Sequence, residues 1–355
     1  MGTVQQLSQL KEWPSDVILR PSHTVKSLPA QWFPAATLDT TNASNRHFTM
    51  NLGENMHRLV TGLSMWMLAA GAQAADDCRF SAQRTAEADI DGVKQVIVRA
   101  GAGELHIEGE SGRRNVQADA QACAPREGQL ERLQLRISRE GDALVVATEI
   151  PEGFNPINWF VSDGWLDLTL KVPTGMSIDV EDSSGTARIS KVGATRVTDG
   201  SGDLTVENIR GSLTIGDGSG QITIGNVQGP VRIADGSGDM MLSNVMGEII
   251  VTDDGSGEIS AADVQGSITV GNDGSGDIRI ERVSGSVKIE EDGSGDIFVH
   301  TVKHDVTIHH DGSGEISVAA IEGDFSVDEA GSGGIKHEQI GGRVKLAGEV
   351  ESGPE

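Results

Sequence analysis

Two sets of carboxylates in this chain have a spacing that could bind a cation. Asp254, Asp273, Asp292 and Asp311 recur every nineteen residues, and Glu258, Asp277, Asp296 and Glu315 each follow four residues later. Calcium is a hard cation that takes several oxygen ligands, so two acidic columns flanking glycine turns could hold it. The known calcium-binding repeat fits poorly, because the period here is about twice its nine residues and the acid directly follows the last glycine. The plainer expectation is that these carboxylates cap their own turns and face solvent. There, unit charges one strand spacing apart repel by only about 0.9 kcal/mol before screening. No cofactor motif is present, and calcium is the one ion the columns suggest.

Two other groups could do chemistry. His300, His304, His309 and His310 fall close together, and imidazole suits zinc or copper. Their spacing matches no zinc site, and His309 and His310 replace Glu290 and Glu291 of the preceding repeat, so solvated surface residues are expected. Phe154, Trp159, Phe160 and Trp165 interrupt the surrounding pattern in a stretch with Pro151 and Pro156. They either fold over the protein as a plug or form a contact surface for a sugar or a partner. No Ser-His-Asp or Cys-His arrangement stands out, and every acid of the columns belongs to the repeat, so catalysis is not expected. A polysaccharide-active β-helix enzyme is the alternative, with a carboxylate pair as its catalytic groups.

The elements that position these residues are set by one tetrapeptide, Asp-Gly-Ser-Gly or a close variant. Its closing glycines run from Gly185 to Gly333 at intervals of seventeen, then eighteen, then nineteen residues. Between two of them the pattern reads Ile278-x-Ile280, Val283, Ser284-Gly285 and Val287-x-Ile289. Aliphatics two apart, bounded by glycine turns, predict strands of three or four residues. A repeat of this size cannot bury its apolar face alone and must stack on its copies. The expected fold is therefore all-β, a parallel β-helix or β-solenoid with coils of 17–19 residues. Ile278, Ile280, Val283, Val287 and Ile289 should point inward, as should Leu204, Val206, Ile209, Leu213 and Ile215. Asn208, Asn226 and Asn244 form a smaller column before an inward aliphatic, where stacked amides would bond along the axis.

Upstream, Val96-x-Val98, Leu105-x-Ile107 and Leu144-x-Val146 alternate without the tetrapeptide. Residues 75–175 are accordingly expected to form a less regular N-terminal β region that caps the solenoid of 176–350, with 351–355 a polar tail. Met56-His57-Arg58, an apolar run from Leu59 to Gly71 and then Ala72-Gln73-Ala74 have the order of a secretory signal peptide. The run is too short to span a bilayer comfortably. A signal peptide belongs near its start codon, which predicts initiation at Met50 or Met56, with 1–49 a disordered extension and 50–74 the leader. Cleavage after Ala74 leaves Cys78 and Cys123 in an oxidising compartment, where they are expected to pair. No transmembrane segment is expected in the mature chain.

The chain carries a formal charge of −25, with 46 Gly and no Tyr. That sign excludes nucleic acid as a partner, since a nucleic-acid surface needs a basic patch.

With Leu166-Asp167-Leu168-Thr169-Leu170-Lys171-Val172-Pro173, then Ser177-Ile178-Asp179-Val180 and Ser184-Gly185, the chain resembles a bacterial family of adhesin-head-like proteins with β-strand repeats. In that family a degenerate N-terminal β region leads through a strand ending in Val-Pro into Ser-Gly-Asp coils. The resemblance covers roughly 88–350. It implies a β-solenoid and a role in adhesion or as a cell-envelope scaffold, in the periplasm or on the surface of a Gram-negative-type bacterium. A glycan or a cell-envelope protein would be the partner.

Overall fold

The computed structural model describes residues 78–149 and 164–347. The expected extension, leader and tail, and the aromatic residues Phe154, Trp159 and Phe160, lie outside the described residues. Among the described residues no helix is long and apolar enough to cross a membrane.

Two sheets of thirteen strands each, parallel except at their N-terminal end, make the wall of a solenoid. The coil from Gly276 to Gly295 shows how one repeat is built. β19 (Ile278–Val283) lies in the first sheet and β20 (Val287–Asp292) in the second. Ile278, Ile280, Val283, Val287 and Ile289 are all buried, as the alternation predicts. The strands are six residues long, where the sequence pattern suggests three or four. Pairing resumes beyond the corner residue, so Val283 still sits opposite Val264 and Val302. The change from eighteen to nineteen residues has a local cause. Register shifts between Ile233 and Ala234, which admits Thr252 as an extra residue, and its hydroxyl donates to the Ile233 carbonyl at 3.1 Å.

The N-terminal region is not a simple run of early coils. In chain order come β1 (Phe80–Asp89), β2 (Gln95–Arg99), β3 (Leu105–Glu110) and β4 (Asn115–Ala124). A helical turn α1 (Glu127–Leu130) follows, then β5 (Gln134–Glu140), β6 (Ala143–Glu149), β7 (Trp165–Pro173) and β8 (Ser177–Asp182). β2 pairs in parallel with both β6 and β8, and β3 pairs with both β7 and β9 (Ala187–Ser190). The coil made by β2 and β3 is thus inserted between the β6–β7 coil and the first tetrapeptide coil. Gly103 comes to rest against Gly185, whose Cβ, were it present, would lie 2.0 Å from the Gly103 carbonyl oxygen. Sequence similarity between these two turns therefore marks spatial neighbours rather than chain neighbours.

Antiparallel strands close this end. β4 runs against β7 and β1 against β4, while β5 runs against β6. Such a change of direction ends the stack without leaving a long parallel edge to template another chain. Cys78 and Cys123 are joined in a disulfide that fastens the start of β1 to β4, with the Cα atoms 5.2 Å apart. Arg84 donates to the carbonyls of Leu133 and Leu130, both at 3.2 Å, tying β1 to the helical turn. Reduction is expected to lower stability by about 2–4 kcal/mol. Hydrogen exchange in 80–124 should accelerate before exchange in the later coils does. Equal exchange in the oxidised and reduced forms would show that the bridge does not hold the cap.

Candidate functional site

From Lys191 onward, each coil turns from the first sheet to the second at one residue in left-handed backbone. These residues run from Lys191 through Asn208, Asn226, Asn244, Asp263, Arg282, Thr301 and Ala320 to Gln339, with φ between 54° and 60°. Asn and Asp tolerate this conformation better than most residues because their short polar side chains bond locally. That accounts for the Asn column, which the sequence reading explained by amide stacking.

The corner folds the wall inward and leaves a groove of about 1150 Å³ along the axis. One wall is the column of left-handed residues. The other is the position just after the buried valine or isoleucine, occupied in turn by Arg210, Gln228, Met246, Gln265, Ser284 and Lys303. Met246 is 53% exposed and, with Met241 at 43% on the adjoining sheet face, is one of the few large apolar side chains open to solvent among the described residues.

Ion pairs organise the ends of this groove. Lys191 Nζ lies 2.6 Å from Glu108 Oε1, which holds the Glu108 carboxyl below its ordinary range and raises Lys191. Arg282 reaches Asp263 at 2.7 Å and also pairs with Glu281. Its bond to Asp263 lowers that carboxyl. The groove is thus nearly balanced in charge within a strongly acidic chain. Its centre is uncharged, amide-rich and accessible, and can offer donors and acceptors to an extended polar chain.

The repeated turns look different from expectation. The first acidic column, from Asp182 to Asp311, is buried rather than solvent-facing. Strand parity explains it: in Leu213-x-Ile215-x-Asp217 the inward alternation simply continues to the aspartate. The capping part of the expectation fits several members. Asp217 Oδ1 accepts the Gly218 N–H at 2.7 Å, and Asp254 Oδ1 accepts the Ser256 N–H at 3.3 Å. The second column stays outside and ties coil to coil. Asp277 Oδ1 accepts the N–H of Asp296 at 2.9 Å, and Asp296 Oδ1 accepts that of Glu315 at 2.8 Å. With Asp254, Asp273, Asp292 and Asp311 inside the wall and Glu258, Asp277, Asp296 and Glu315 outside it, the two columns do not form one ligand set. Among the described residues no cluster of three or more His, Cys, Asp or Glu is placed to hold a metal.

The histidines also stay apart. His309 Nδ1 meets Asp328 at 2.7 Å and His310 Nδ1 meets Glu329 at 3.2 Å, while His300 bonds Thr301. Trp165 opens β7 opposite Cys123 and is half-buried.

Sequence reasoning missed the groove. Its signal was present as the position after the Val or Ile that ends the first strand of each coil, which takes Arg, Gln, Met, Gln, Ser and Lys in turn.

Residues 94–328 match the family described as Toastrack DUF4097. No curated protein matches the chain. Among solved structures, a provisionally named lipid-binding protein from Parabacteroides distasonis is 15% identical, with a TM-score of 0.38, covering 74% of this chain and 96% of its own. A provisionally named adhesin from Bacteroides fragilis is 14% identical, with a TM-score of 0.30, covering 76% of this chain and 97% of its own. A provisionally named cell adhesion protein from Clostridium sporogenes is 13% identical, with a TM-score of 0.31, covering 62% of this chain and 99% of its own.

Proposed function

The chain belongs to the Toastrack DUF4097 family, and from that premise we propose that it is an exported, non-catalytic β-solenoid whose axial groove binds an extended polar polymer, a glycan in the first instance. The observation that carries this reading is the groove itself, which successive coils line with polar side chains, Asn226, Gln228, Asn244 and Gln265 among them. A target with its own repeat can then touch several coils at once, and weak contacts add by avidity. Corner asparagines and Gln228 and Gln265 supply paired donors and acceptors suited to sugar hydroxyls. The surrounding net negative charge disfavours bare anionic lipid as the target.

Retention on immobilised glycans, with product analysis of the flow-through, tests this directly. Wild-type protein is expected to be retained without releasing reducing ends. Arg210→Ala combined with Gln228→Ala and Gln265→Ala should weaken binding at least about tenfold, equivalent to about 1.4 kcal/mol. Its melting temperature should not change, since these side chains are exposed. Absence of retention on every glycan would remove the ligand class, and released product would replace binding with catalysis. Protease shaving of intact cells beside a periplasmic control protein separates adhesion from an internal envelope scaffold.

A further inference from the structure

We infer that the buried aspartates of the repeat hold shared protons, so that the solenoid contains an internal carboxyl–carboxylate ladder that tightens the rod in mild acid and loosens it above neutrality. The column is continuous. Asp182 pairs in register with Asp199, Asp199 with Asp217 and Asp217 with Asp235, and the register continues through Asp254, Asp273 and Asp292 to Asp311. All eight are buried, and Asp273 and Asp292 have no measurable exposure. Turn N–H groups satisfy only part of this oxygen set. Both carboxyl oxygens of Asp199, Asp273 and Asp292 are buried without a partner, as is one oxygen of each of the others.

Nothing in the wall neutralises these charges by pairing. The groups that act on the column from its surroundings are Asp277 beside Asp273, and Asp296 and His310 beside Asp311. No lysine or arginine faces it among the described residues, and the strands of the first sheet offer aliphatics such as Ile278 and Ile297. Carboxylates stacked one strand spacing apart in a dry interior cannot all ionise. A proton held between neighbours removes the repulsion and gives the orphan oxygens partners. Asp292 and Asp311 stand in register, so a proton held between them would give orphan oxygens of both carboxyls a partner.

Burial, reinforced by the neighbouring carboxylate, pushes Asp182, Asp254 and Asp292 up to about 7. Asp199 and Asp273 rise to about 6. A carboxyl raised in the folded state stabilises fully below its unfolded value, near 3.9, and loses that contribution as pH climbs through the folded value. The window of loss is therefore about pH 4 to 7. Full protonation of the eight would also move the formal net charge from −25 to −17.

Thermal unfolding of the full chain between pH 4.5 and 8.5 tests the ladder, against Asp254→Asn/Asp273→Asn/Asp292→Asn. The amide mimics the protonated carboxyl in shape. Wild type should melt at least about 5 °C lower at pH 8 than at pH 5. The triple variant should be flatter and melt higher than wild type at pH 8. Infrared spectra of wild type at pH 6 should carry a protonated carboxylic-acid band that shrinks in the variant. Lack of that band, or an unchanged slope in the variant, would overturn the inference. So would a melting temperature at pH 8 that rises with Ca²⁺ and falls with EDTA, because a cation would then fill the column. Should the triple variant fail to fold, the wild-type infrared band and Asp273→Asn alone decide.

Discussion

Gly238→Ala is expected to cost more than about 4 kcal/mol, the range reserved for substitutions that break a fold outright. Gly238 has φ of +135°, and a Cβ there would stand 1.9 Å from the carbonyl oxygen of Gly220 and 2.7 Å from its carbon. The obstacle is backbone belonging to the coil below, so no rotamer change relieves it. Separating the two coils would break the adjoining ladder, in which Gly220 N–H donates to the Ser237 carbonyl at 3.0 Å. Because each coil is stabilised by its neighbours, the damage should spread along the stack rather than stay in one turn. Gly216 supplies the control. It lies in a strand with nothing within 4 Å of its virtual Cβ. Gly216→Ala should therefore be neutral or stabilise by up to about 1 kcal/mol. Denaturant unfolding of both variants, with hydrogen exchange to localise the loss, checks the pair. Equal stabilities would mean that close turn stacking does not hold the coils together.

The second large effect concerns two kinds of buried acid. Ile280 is fully buried in the apolar wall. Ile280→Ala should cost about 2–5 kcal/mol through the cavity it leaves. Ile280→Asp should cost more, because a carboxylate at that position has no turn N–H to accept and must be buried bare or protonated. Its penalty should be larger at pH 8 than at pH 5. Asp273 is equally buried, and burial raises its carboxyl to about 6, but it sits beside a turn whose Ser275 N–H acts against that rise. Urea midpoints for the two Ile280 variants at both pH values test this contrast. Finding Ile280→Asp no less stable than Ile280→Ala at pH 8 would show that the wall tolerates charge anywhere.

Much of the fold was legible because it rests on local periodicity. Val287-x-Ile289 has to place both side chains on one face of a strand, whatever surrounds it. The left-handed corner was half legible: Asn at three successive corners signals positive φ, but Lys191, Arg282 and Thr301 at the same position do not. The candidate site was the least legible part. Arg210, Gln228 and Gln265 are unremarkable surface residues until stacking sets them along one wall.

The sequence by itself determined the period, the inward aliphatics and the turns at the tetrapeptide glycines, since each follows from alternation and turn chemistry within about twenty residues. The tertiary structure alone decided that the β2–β3 coil is inserted ahead of β8, that the aspartates close the inner face, and that a groove follows the corner. Those outcomes depend on which backbone lies one strand spacing away. Contacts between coils govern that, and composition within a coil does not.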